Sequence, residues 1–156
     1  PALAIGMEPG NPDILKRKPR DPKASLLDKP FVTQISTQGF LISLSVIAAF
    51  LIGLKDSPAI ACTMAFSTLT FARLLHGFNC RSQHSIFKIG FKNNWYSLAG
   101  FALVTALLAL ILFVPALHGL FAVQPLSGQE VWLIVILAII PTILIQLVKV
   151  IRENRA

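Results

Sequence analysis

The sequence predicts an all-α membrane protein with four transmembrane helices, and three observations carry that prediction. The chain of 156 residues is 54% hydrophobic and only 13% charged, with a mean hydropathy of +0.70, too apolar for a water-soluble domain of this size. Apolar segments at about 31–54, 58–79, 95–117 and 131–148 each supply roughly the 20 residues needed to cross a hydrocarbon core about 30 Å thick. Of the 14 Lys and Arg, only Lys55 falls in a connection on the far side, so the positive-inside bias puts both chain ends in the cytoplasm. The net charge of +7 is thus a topology signal. Basic residues flank spans and do not cluster with stacking aromatics, which argues against a nucleic-acid partner.

Taken in order, PALAIGMEPGNPD opens with an apolar run too short to cross a membrane, broken at Glu8, Pro9, Gly10 and Pro12. Residues 1–8 read as the end of a span whose body lies upstream. With no initiator Met and no charged leader ahead of an apolar run, the chain reads as part of something longer. ILKRKPRDPKASLLDKP then forms a basic, proline-punctuated loop. It divides the chain into residues 1–30 and a membrane module at 31–156.

The first full span carries Gly39 with Ser43 and Ala49 with Gly53, each pair four apart on one face. Small residues at that spacing let helix backbones approach closely. The connection KDSP is so short that the first two spans must form an antiparallel hairpin. The connection from His118 to Glu130 is longer and is expected to lie on the outer surface. Pro115 and Pro141 are expected to kink the third and fourth spans. Trp95, Tyr96 and Trp132, at span starts, fit interfacial anchors. Cys62 and Cys80 lie 18 residues apart on one helix, about 27 Å by helical rise, and cannot form a disulfide.

On the second span, Thr63, Ser67, Thr70, Arg73 and Gly77 recur at steps of four, three, three and four, one polar face at helical period. Hydroxyls and a guanidinium are costly in lipid, so this face is expected to meet protein or a hydrated cavity. Arg73 allows two readings: snorkelling toward the nearer membrane surface, or pairing at an internal site. His76, Asn79 and Cys80 have no matching cluster elsewhere and read as interfacial polar residues, not metal ligands. The sequence contains no Walker loop, no carboxylates paired at catalytic spacing and no Cys cluster. No catalytic residue, metal site or bound cofactor is expected within this chain.

The run PALAIGMEPGNPDILKRKPR resembles, without gaps, the stretch of P-type cation-transporting ATPases that closes the sixth transmembrane helix and forms the following cytoplasmic loop. MAFSTLTFARLLHGFNCRS is similar to the eighth helix of the calcium-pump branch. The resemblance covers the whole chain: residues 1–30 as the end of helix six with its loop, and 31–156 as helices seven to ten. It implies an ATP-driven pump that exports calcium from the cytoplasm, bacterial in type, in the plasma membrane. This chain would brace the ion-binding helices and supply one wall of the ion site.

The family's principal helix-six ligands, an Asn and an Asp seven and three residues before the proline matched by Pro1, lie outside the chain. So do the phosphorylated aspartate and the site for ATP and magnesium. The remainder of the pump, together with membrane lipids, is therefore the implied partner. In the coupling loop, Asp13 matches a family acidic position, whereas Asn11 and Lys16 stand where the animal reticulum pump has acids. Arg17 and Arg20 belong to the same loop. Arg73 aligns with a helix-eight glutamate that helps form one of two calcium sites in the reticulum pump. A guanidinium there would repel a divalent ion and could pair with neighbouring acids, implying one working site. Alternatives are a pump for manganese, sodium or another cation, or an independent four-helix membrane scaffold.

Overall fold

The computed structural model describes residues 28–80 and 95–153, all helix and connection with no strand among them. The five helices are α1 (Lys29–Gly53), α2 (Pro58–Cys80), α3 (Trp95–Phe113), α4 (Pro115–Phe121) and α5 (Gly128–Glu153). Four of them, all but α4, are long and apolar enough to cross a membrane. Residues 1–27 and 81–94, and with them the loop residues Asp13, Lys16, Arg17 and Arg20, lie outside the described residues.

Local chemistry sets the helix ends. Asp28 caps α1 by accepting from the backbone N–H of Phe31 at 2.9 Å, with a proline in the first turn. After Gly53 the chain turns within four residues, Asp56 and Ser57 both donating to the Gly53 carbonyl at 3.1 and 3.2 Å. Ser57 then caps α2, its hydroxyl accepting from Ile60 N–H at 3.1 Å. The expected antiparallel hairpin follows directly.

The third span ends earlier than the apolar run suggests. Val114 is extended (φ −96°, ψ 109°), as the residue before a proline prefers, and α4 restarts with Pro115 in its first turn. Pro115 therefore breaks the helix and does not merely kink it. The break frees carbonyls at the end of α3, and the His118 imidazole Nε2 lies 3.1 Å from that of Leu112. Pro141, by contrast, sits buried within α5, which continues through it.

The connection after α4 also departs from expectation. Ala122 adopts a left-handed conformation (φ 52°, ψ 36°), and the chain then turns inward: Val123 is 4% exposed and Leu126 packs against the core. The backbone N–H of Gln124 donates to Thr63 Oγ1 at 3.0 Å. A connection carrying apolar Val123 and Leu126 gains more by covering the ends of α2 and α5 than by lying on the surface. Ser127 and Glu130 then close a reciprocal capping box that starts α5.

The core lies between α1, α2 and α5. Ile42, Ala72 and Ala138 meet in one layer, and Ala49, Met64 and Ile134 in a second. Alanine at these points allows close helix approach. Gly53 marks a tight spot: a Cβ there would lie 2.9 Å from the Ala61 Cα and 2.8 Å from the Met64 sulfur. At Gly39 a Cβ would meet nothing within 4 Å, and Ser43 is exposed, so their face is open in this module. The helix α3 is peripheral, joined to α2 through Phe101 against Phe71 and Phe78, with ring centroids 6.3 and 5.2 Å apart. Phe40, Leu103, Phe113 and other large apolar side chains face outward, as expected of helices surrounded by lipid or further spans.

Candidate functional site

At 100° per residue, Thr63, Ser67, Thr70, Arg73 and Gly77 cover an arc of about 120° on α2. The structure buries one edge of that arc and leaves the other open. Thr63 and Ser67 are sealed in the interior, Thr70 and Gly77 are half-buried, and Arg73 is exposed. The hydroxyls satisfy themselves within the helix: Thr63 donates to the Ala59 carbonyl at 2.9 Å, Ser67 to Thr63 at 2.7 Å and Thr70 to Phe66 at 2.8 Å. Their polarity is thereby spent along α2 and needs no water.

Arg73 differs, because a guanidinium carries five donors and a charge. It lies seven residues before the end of α2, about 10 Å into the span. Among the described residues it forms no hydrogen bond and no ion pair. It flanks two clefts. One, of about 620 Å³, runs between α1 and α2 and is lined by Phe31, Gln34, Gln38, Ile42, His76 and Asn79 among others. The second opens on the other flank of α2, beside Phe66, Leu69, Thr70 and Val104. A cation at this depth calls for a partner or water outside the described residues.

Sequence reasoning missed a polar cluster at the same end of the module. Gln146 Nε2 donates to Asn79 Oδ1, and Lys149 Nζ donates to the Asn79 backbone carbonyl at 2.6 Å. All three residues are at most 8% exposed. A lysine on the last carbonyls of a helix is favoured by hydrogen bonding and by the helix dipole together. The available signal was the pairing of Gln146 and Lys149, three apart and hence on one face of an otherwise apolar helix.

Thr68, fully buried with an unpartnered hydroxyl, also went unnoticed. His76 and Cys80 lie together, Nε2 to Sγ 3.4 Å, but no group of three metal-ligating side chains occurs among the described residues. Cys62 and Cys80 are free thiols.

Comparison with known proteins gives a consistent outcome. The family described as cation transporting ATPase, C-terminus, matches residues 1–151. A calcium-transporting ATPase of Bacillus subtilis is 33% identical over 148 residues, covering 93% of this chain and 17% of that protein. One from Listeria monocytogenes is 34% identical over 156 residues, covering 99% and 18%. The rat calcium-transporting ATPase type 2C member 2 is 33% identical over 156 residues, covering 96% and 16%. The chain thus spans less than a fifth of the length of these relatives.

Proposed function

The chain belongs to the family of cation-transporting ATPase carboxy-terminal regions, and from that premise we propose that it is the last membrane module of an ATP-driven calcium exporter. Its relatives' names supply the ion; the chain supplies a framework and one charged position. The α1, α2 and α5 core braces the ion-binding helices that precede it in the longer protein. ATP, magnesium and the phosphorylated aspartate belong to that upstream part. The basic end of the module, with Lys29 and Lys149, faces the cytoplasm of a bacterial cell, and the loop carrying Asp13, Lys16, Arg17 and Arg20 meets the cytoplasmic domains there.

Arg73 carries the functional reading. Exposed about 10 Å inside the span and without a partner among the described residues, it is available to acids on helices outside this chain. A guanidinium held among carboxylates would occupy the space and charge of a second calcium ion and leave one site to cycle. Snorkelling is the competing role, and a Lys substitution separates the two, since lysine also reaches the interface but lacks the planar fork. The open face of Gly39 and Ser43 is assigned to packing against those same upstream helices. Calcium uptake by vesicles containing the full-length protein, started by ATP, tests the proposal; uptake of manganese or sodium in place of calcium would replace it.

A further inference from the structure

The short helix α4 stands at the end of the spans opposite Asp28 and Asn79, and two consecutive amides fix its level. The Val123 N–H donates to the His118 carbonyl in α4 at 3.1 Å, and the Gln124 N–H donates to Thr63 Oγ1 at 3.0 Å. Thr63 lies five residues into α2, about 7.5 Å along it from Pro58. The two helices that begin at this end are in step, since Met64 of α2 and Ile134 of α5, each six residues in, share one core layer. On that scale the exposed Trp132, four residues into α5 and about 6 Å in, stands at nearly the level of Thr63. A tryptophan near the end of a span marks the boundary between headgroups and hydrocarbon. The last turn of α4 is therefore tied at that boundary and does not project beyond it.

The residues of α4 suit this level. Leu117, Leu120 and Phe121 fall at i, i+3 and i+4, one apolar face of the helix. Leu120, 78% exposed, is the most exposed large apolar side chain among the described residues, and Phe121 is exposed beside it. His118 is held back on the Leu112 carbonyl. From Phe113 to Gln129 the sequence has no Asp, Glu, Lys or Arg, so no charge on the segment demands bulk water.

The surroundings favour lipid over protein as the occupant. The helix follows directly on Leu110 and Phe113, outward-facing residues of the peripheral span α3, and so continues a surface that already meets the bilayer. The open edge at Arg73, assigned above to upstream helices, lies about 15 Å further along α2 from Thr63.

We propose that α4 is an interfacial anchor, its Leu117, Leu120 and Phe121 face seated in the glycerol and upper acyl region of the leaflet at this end. Its partner is the lipid surface itself. The seat holds the connection from α3 to α5 down over Thr63. It depends on the spans crossing a bilayer and not on which ion the pump moves, so the two readings fail separately.

The test uses the full-length protein carrying this chain in phosphatidylcholine vesicles, with labelled residues identified by peptide mass spectrometry. In the unmodified protein, a photoreactive group on the acyl chain near the glycerol should label Leu117, Leu120 or Phe121 several-fold more than the same group at the chain's methyl end. A water-soluble photoreactive reagent present on both sides of the membrane should modify the exposed Lys55 and Asp56 and spare α4. Leu120→Asp/Phe121→Asp should reverse the pattern, losing the lipid label and gaining the aqueous one. The measurement on unmodified protein stands even if that variant fails to fold. Aqueous labelling of wild-type α4 as strong as that of Lys55, or labelling strongest at the methyl end, would overturn the anchor. So would an α4 reached by neither reagent, which would place protein over it.

Discussion

Lys149 of α5 donates to the backbone carbonyl of Asn79, one residue from the end of α2, across 2.6 Å in a buried setting. This single bond closes the α2 terminus with a charge and ties it to a helix 70 residues later in the chain. Removing the donor leaves a buried carbonyl unsatisfied at the negative end of the helix dipole. Lys149→Met should therefore lower stability by about 1.5–3 kcal/mol, the range for a charged hydrogen bond. Thermal unfolding of the full-length protein in detergent measures it, and an unchanged midpoint would show that the bond contributes nothing.

Gly53 and Gly39 should respond oppositely to the same change. Gly53→Ala places a methyl 2.9 Å from the Ala61 backbone, which cannot yield as the Met64 sulfur can. The expected cost is about 1–3 kcal/mol, as for other overpacked sites. Gly39→Ala meets open space in this module and should leave its packing intact. A larger Gly39→Leu substitution should destabilise only where upstream helices are present, and equal stability of wild type and Gly39→Leu in the full-length protein would place that face against lipid.

Thr63 holds the connection between α4 and α5. Its hydroxyl donates to Ala59 and accepts from Gln124, so Thr63→Ser should preserve the connection and Thr63→Val should release it. Loss of about 1 kcal/mol is expected for one such bond. Hydrogen exchange at Val123 and Gln124 should rise in the Val variant and not in the Ser variant; no difference between them would mean that burial of Val123 alone holds the segment.

Much of this fold was legible because membrane spans announce themselves in unbroken apolar runs and because KDSP permits only a hairpin. The Ala49 and Gly53 spacing pointed to a close helix approach, yet the Gly39 and Ser43 spacing is equally regular and lies open here. Spacing identifies a permissive face; which neighbour occupies it is a tertiary fact. Pro115 was ambiguous for a different reason. A proline can kink or end a helix, and here Val114 is extended before it while His118 reaches the freed Leu112 carbonyl. Lys149 read as one more flanking cation, since nothing local indicates that α5 crosses the end of α2 at that residue. The period of 3.6 puts Arg73 on one arc with Thr63 and Ser67, but α2 buries only the Thr63 edge of that arc. Among the described residues nothing covers the Arg73 edge.

Substitutions of Arg73 should separate its two readings. If the guanidinium stands in for an ion, Arg73→Ala should keep calcium transport with an altered dependence on pH, and Arg73→Lys should not reproduce wild type. If it snorkels, Arg73→Lys should match wild type and Arg73→Ala should change expression more than coupling. Transport against pH in reconstituted vesicles, for the three forms side by side, distinguishes these outcomes.

The most direct measurement is the number of calcium ions moved per ATP by the full-length wild-type protein in sealed vesicles. One calcium per ATP is the result expected if Arg73 fills the place of a second ion. Two per ATP, or ATP hydrolysis without calcium movement, would contradict the role given to it.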